Sequence, residues 1–81
     1  MPTNRDAAAL LDIYQAAQKV LRYKEGLERV AFLEDDKTQS AIVFQLLIMG
    51  EAVKRLTSEF RNQHPEIPWS LIAGMRDNLI H

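Results

Sequence analysis

Apolar residues return every three or four positions along the first third of the chain, at Ala7, Leu10, Tyr14, Ala17 and Leu21, the spacing that lines one face of a helix. The pattern predicts an amphipathic helix from about Asn4 to Glu25. Thr3 or Asn4 can accept hydrogen bonds from the first free amides, Asp6 suits the positive first turn, and Gly26 supplies the left-handed residue that often ends a helix. Beyond it, Leu27, Val30, Phe32 and Leu33 are too apolar for a solvated linker and predict a short helical turn folded under its neighbours.

A longer seam follows. Ile42, Leu46, Met49, Val53, Leu56 and Phe60 alternate steps of four and three, predicting one helix from Asp36 to about His64, ahead of Pro65. Asp36 and Gln39 have capping-box spacing, and Val43, Leu47 and Gly50 widen the seam on one side. Gly50 costs about 1 kcal/mol relative to alanine in a helix interior, so close packing is expected against its bare backbone. After Pro65, Pro68 suits the first position of a new helix and Trp69 is large enough to plug the end of a small bundle. Gly74 is expected to separate a short helix, Pro68 to Ala73, from a last one beginning at Met75. No strand-like alternation interrupts these segments. The expected fold is all-α, a small antiparallel helical bundle of two long helices plus shorter C-terminal ones, forming a single domain over 1–81.

Eighty-one residues leave no room for a second domain, and a chain this short buries only about 60 to 65% of its unfolded surface. Association with a second copy is therefore a reasonable expectation. Ten basic and eleven acidic residues give a formal charge of -1, so no bulk positive field draws the chain onto nucleic acid. The absence of cysteine removes disulfides and thiolate metal sites. With no apolar run of membrane-spanning length, the expected location is the cytoplasm, with no membrane partner.

Candidate chemistry narrows quickly. Bundle metal sites use Glu and His three residues apart, but Arg61 precedes His64 and Asn78 precedes His81 at that spacing, so neither a metal nor a cofactor is expected. Glu34, Asp35 and Asp36 lack the spacing of a calcium loop and suit a helix start. His64 reads as a helix terminator, and Tyr14 and Tyr23 as packing residues. Lys54, Arg55 and Arg61 point away from the seam, either as a solvated face or as phosphate contacts.

The densest polar cluster is the run from Met75 to His81, which gathers Arg76, Asp77, Asn78 and His81 within two turns. Asp77 and His81 stand four apart and share a helical face, so the carboxylate could orient the ring. Arg76 lies five steps from His81, roughly 140° around an ideal helix. Those groups would meet only through an irregular turn or across a two-fold axis; a surface ion pair is the simpler use of the spacing.

Ile67-Pro68-Trp69, Gly74-Met75-Arg76 and Leu79-Ile80-His81, together with Met49-Gly50-Glu51-Ala52 on the long helix, resemble the HEPN superfamily, specifically the HepT-like toxins. Asp12 with Ile13, and Phe32 to Asp36, also fall where that family has similar residues. The resemblance implies a metal-independent ribonuclease toxin of a toxin-antitoxin system, acting as a homodimer whose Arg-x4-His motifs line a shared cleft. The implied partners are RNA and an MNT-type nucleotidyltransferase antitoxin. It further implies that Arg76 binds and stabilises the phosphate, that His81 moves protons, and that Asp77 orients His81 or its dimer mate. The family usually continues as Arg-x4-His-x-Tyr, with the tyrosine accepting AMP, so the chain is expected to lack the family's C-terminal end. The alternative expectation is a non-catalytic helical dimerisation module that binds a nucleotidyltransferase.

Overall fold

A computed structural model describes residues 3–79. Its helices are α1 (Asn4–Lys24), α2 (Arg29–Leu33), α3 (Asp36–Arg55), α4 (Ser58–Gln63) and α5 (Trp69–Leu79). Among the described residues there is no strand, and no helix is long and apolar enough to cross a membrane. The all-α expectation holds. α3 is the centre of the bundle, packed against α1, α2 and α5.

α1 begins on a complete capping box. The Thr3 hydroxyl accepts from the Asp6 amide, while the Asp6 carboxylate accepts from the Thr3 amide and hydroxyl. Gly26 follows the helix at φ 75°, where a side chain would be strained.

The buried face of α1 differs from the expected one. Asp6, Ala9 and Ala16 are buried, with Ile13, Val20 and Tyr23 partly so, whereas Tyr14 and Leu21 are 58% and 59% exposed. The packed stripe is therefore offset by one residue, about 100° around the helix. Two apolar stripes compete on α1. The one carrying Asp6, Ala9 and Ala16 lies inward, and Leu10, Leu11, Tyr14 and Leu21 are left at or near the surface.

The expected long second helix is two helices. Residues 36–55 are helical, Leu56 turns to an extended conformation at ψ 143°, and Thr57 starts α4 by accepting from the Phe60 amide. Tertiary hydrogen bonds hold the break. Asp6 of α1 accepts from the Thr57 amide at 2.8 Å and from its hydroxyl at 2.9 Å, across 51 positions of sequence. Arg5 donates its Nε to the carbonyl of Arg55, one of the acceptors that a helix end leaves without an intrahelical donor. Since the start of α1 meets the end of α3, the two run antiparallel.

Thr57 thus caps α4 and bonds Asp6 at once. Thr57→Ala is expected to cost about 1 to 2 kcal/mol of stability, with Thr57→Ser recovering most of it; chemical denaturation of both variants checks this.

The cap of α3 is Asp35, one residue before the expected Asp36. Asp35 accepts from the amide and hydroxyl of Thr38, and those hydrogen bonds, aided by Lys37, hold its carboxyl below the ordinary carboxylate range against the effect of burial. Gln39 instead reaches back to the carbonyls of Phe32 and Leu33, tying α2 onto α3. Val53 and Leu56 of the expected seam are buried, as are Gly50 on its widened side and the neighbouring Ala52.

α5 is also continuous where two helices were expected. A Cβ added at Gly74 would meet nothing within 4 Å, so this glycine neither breaks the helix nor makes room for a neighbour. Pro68 stands immediately before the helix, its carbonyl accepting from Ile72, and so fills the cap rather than the first helical position. Trp69 anchors the preceding turn: Nε1 donates to the His64 carbonyl at 3.0 Å, and its ring lies 6.1 Å from Phe60. His64 caps α4 as expected, its ring 4.7 Å from Phe60 and Nδ1 3.5 Å from Glu66.

Candidate active site

α5 carries Arg76, Asp77 and Asn78 of the predicted polar cluster. Arg76 and Asp77 lie on its second half, held to the bundle by the partly buried Ile72, Ala73 and Met75 on the side packed against α3. The Asp77 carboxylate is exposed, and its Oδ1 accepts from Lys54 Nζ of α3 at 2.9 Å. The side chain of Arg76 and the whole of His81 lie outside the described residues, as does any meeting of the two.

The Lys54 contact changes the picture of Asp77. Lys54 was expected on a solvated face or against phosphate, yet it connects the end of α3 to the polar end of α5. The pair is exposed on both sides, so its energetic weight is small, on the order of 0 to 1 kcal/mol. Its geometric role is larger, because Lys54 and Asp77 are 23 positions apart in sequence and this contact fixes one carboxylate oxygen. A carboxylate has two oxygens and about four lone-pair sites, so a bond to Lys54 is compatible with a second one elsewhere.

Arg55, next to Lys54, turns the other way and donates to Asp12 of α1 at 2.6 Å. The end of α3 therefore spreads two cations, one to α1 and one to α5. Among the described residues no three acidic or imidazole side chains converge as metal ligands do.

Lys54 and Asp6 stand where the sequence placed them, on the outer side of α3 and in the first turn of α1, but their distant partners were not legible. Lys54 sits on the outer side of an amphipathic helix, where solvation is the usual outcome. Asp6 has the signature of a first-turn acid, and nothing local distinguishes it from one that never leaves solvent. Burial raises its carboxyl, but the bonds from Thr57 and Thr3 outweigh that and hold it below the ordinary value of 3.8.

Comparison with known proteins agrees with the pattern of residues. Residues 13–81 match the family model described as Ribonuclease HepT-like. A Methanocaldococcus jannaschii protein provisionally named an RNase is 38% identical over 81 residues, covering all of this chain and 67% of that protein. A Thermococcus cleftensis protein named probable ribonuclease HepT is 43% identical over 72 residues, 89% of this chain and 66% of that one. A third, from Caldanaerobacter subterraneus and also provisionally named an RNase, is 44% identical over 69 residues, 85% of this chain and 62% of that one. The chain thus spans about two thirds of the length of these relatives. No solved structure matches it. By the extent of the family match and the identity to these relatives, the chain belongs to the ribonuclease HepT-like family of HEPN proteins.

Proposed function

We propose that the chain is an RNA endonuclease that works through Arg76, Asp77 and His81, as the toxin of a toxin-antitoxin pair. The observation that carries this reading is the family match over residues 13–81, which includes all of these positions. The names of the three relatives point to the same activity.

The chemistry needs little apparatus. In RNA the 2'-hydroxyl beside the scissile phosphate can attack phosphorus once its proton is removed. The new O2'–P bond forms as the P–O5' bond breaks, and the departing oxygen takes up a proton. His81 carries these proton transfers. Arg76 places a planar, permanently charged guanidinium on the phosphate and stabilises the charge that grows in the transition state. Asp77, held at one oxygen by Lys54, orients the imidazole of its own chain or of a second copy.

A homodimer brings two such motifs to one cleft, and the apolar surface of α1 supports it. Leu11, Tyr14 and Leu21 are exposed there, as is Phe44 on α3. The partner is an MNT-type nucleotidyltransferase antitoxin, a proposal that rests on the family resemblance. The same apolar surface is what favours the second reading, a non-catalytic module that dimerises and binds such a partner.

Incubation with structured and unstructured RNA in the presence of a chelator separates the two. The nuclease reading expects fragments to accumulate; the module reading expects a stable dimer and intact RNA at high protein concentration.

A further inference from the structure

Between α4 and the start of α5 lies an open groove of about 570 Å³ that the proposed cleavage chemistry does not use. Its lining includes the apolar Trp69 and Pro68 and the polar Arg61, Asn62, Ser58 and Ser70. Among the described residues no acidic side chain lines it. Arg61 is half-buried and its guanidinium has no hydrogen-bond or ion-pair partner among the described residues, in contrast to the side chains of Lys54 and Arg55, which are both paired. The Trp69 ring is fixed in advance by its bond to the His64 carbonyl and by Phe60.

We infer that this groove is a subsite for one unpaired nucleotide of the RNA, next to the phosphate that is cleaved. An aromatic wall beside an unpaired guanidinium, with an amide and hydroxyls around them, suits a base that stacks, a phosphate that is neutralised and a base edge that is read. Trp69 stacks the base, Arg61 holds its phosphate and Asn62 faces the base edge. The position of the groove fits the path of the substrate. Trp69 and Arg76 are seven residues apart on one continuous helix, two turns, so their backbone positions share nearly one angle and lie about 10 Å apart along the axis. A strand crossing the second half of α5 therefore extends into the groove within a nucleotide or two. This rests on the nuclease reading for the substrate, but the groove can be tested without cleavage.

Trp69 is the only tryptophan, so its fluorescence reports on the groove alone. The probe is a short single-stranded oligoribonucleotide carrying 2'-deoxy sugars, which cannot be cleaved through a 2'-hydroxyl, alongside an abasic oligomer of equal length. The intact oligomer is expected to quench Trp69, and the abasic one to quench little and bind about 10-fold more weakly. Arg61→Gln and Asn62→Ala, both on the groove surface, should each weaken the intact oligomer by about 5- to 10-fold with unchanged circular dichroism. Equal binding of the abasic oligomer, unaltered affinity in both variants, or binding without quenching would overturn the subsite. So would loss of a nucleotidyltransferase partner in Arg61→Gln with RNA affinity intact. Quenching without cleavage of an ordinary RNA would retain the subsite and remove the nuclease reading; cleavage by a protein whose Trp69 is never quenched would do the reverse.

Discussion

Replacing Arg76 with alanine is expected to lower RNA cleavage by about 10²- to 10³-fold, the size of loss seen when a charge-stabilising donor is removed from a transition state. His81→Ala should cost a similar factor, on the order of 10² to 10⁴, because both proton transfers lose their carrier. The double variant should be little worse than the poorer single one, since the two groups act on one phosphodiester and their effects are not additive. Arg76→Lys keeps the charge and loses the planar fork, and should recover only part of the rate. Single-turnover cleavage assays, with thermal melts to show that the fold is retained, measure all four. Cleavage unaffected in His81→Ala would remove the proposed site.

The largest effect on stability is expected at Asp6. This carboxylate is 1% exposed and accepts from Thr3 and Thr57 through both of its oxygens, so it joins the first turn of α1 to the start of α4. Asp6→Ala leaves the Thr57 amide and hydroxyl without acceptors and removes half of the capping box, and a fall in Tm on the order of 10 °C follows. Thr57 follows the turn at Leu56 and caps α4, so the change should also loosen α4 and the Phe60 and Trp69 contact behind it.

The pH dependence has a definite sign. The folded-state carboxyls of Asp6 and Asp35 both lie below their ordinary value of 3.8. Each therefore stabilises the fold fully above that value, and the contribution is lost as pH falls through the lower folded-state value. Stability should be flat toward neutral pH and fall in acid, and Asp6→Asn should flatten the acid limb while lowering the plateau. Thermal melts across that acid range check both.

Local signals were legible where local physics decides. Thr3, Asp6 and Gly26 mark the ends of α1 as they stand, because caps and left-handed turns depend on a few adjacent residues. The periodicity of α1 pointed to one of two adjacent apolar stripes; each carries two alanines, and the one that packs inward is the one whose Asp6 is bonded to Thr57, 51 positions away. The break at Leu56 and Thr57 was hidden for a related reason. The seam continues in phase through Phe60, and the groups that hold the break, Arg5 and Asp6, lie some 50 positions away. Gly74 shows the opposite error, since a residue that weakens an isolated helix stays helical within α5 as that helix packs along α3. In the candidate site, Arg76, Asp77 and His81 could be picked out by residue type and family order. Lys54 could not, because nothing in sequence tells a helix-surface lysine that it will meet a carboxylate 23 residues on.

The most direct test is the chemical identity of the ends that the protein leaves on RNA. Mass spectrometry of fragments made in excess chelator should find a 2',3'-cyclic phosphate on one side of each cut and a 5'-hydroxyl on the other, with no cut where the neighbouring sugar is 2'-deoxy. Fragments ending in 3'-hydroxyl and 5'-phosphate, or cuts that persist beside a deoxy sugar, would contradict attack by the 2'-oxygen and with it the roles given to Arg76 and His81.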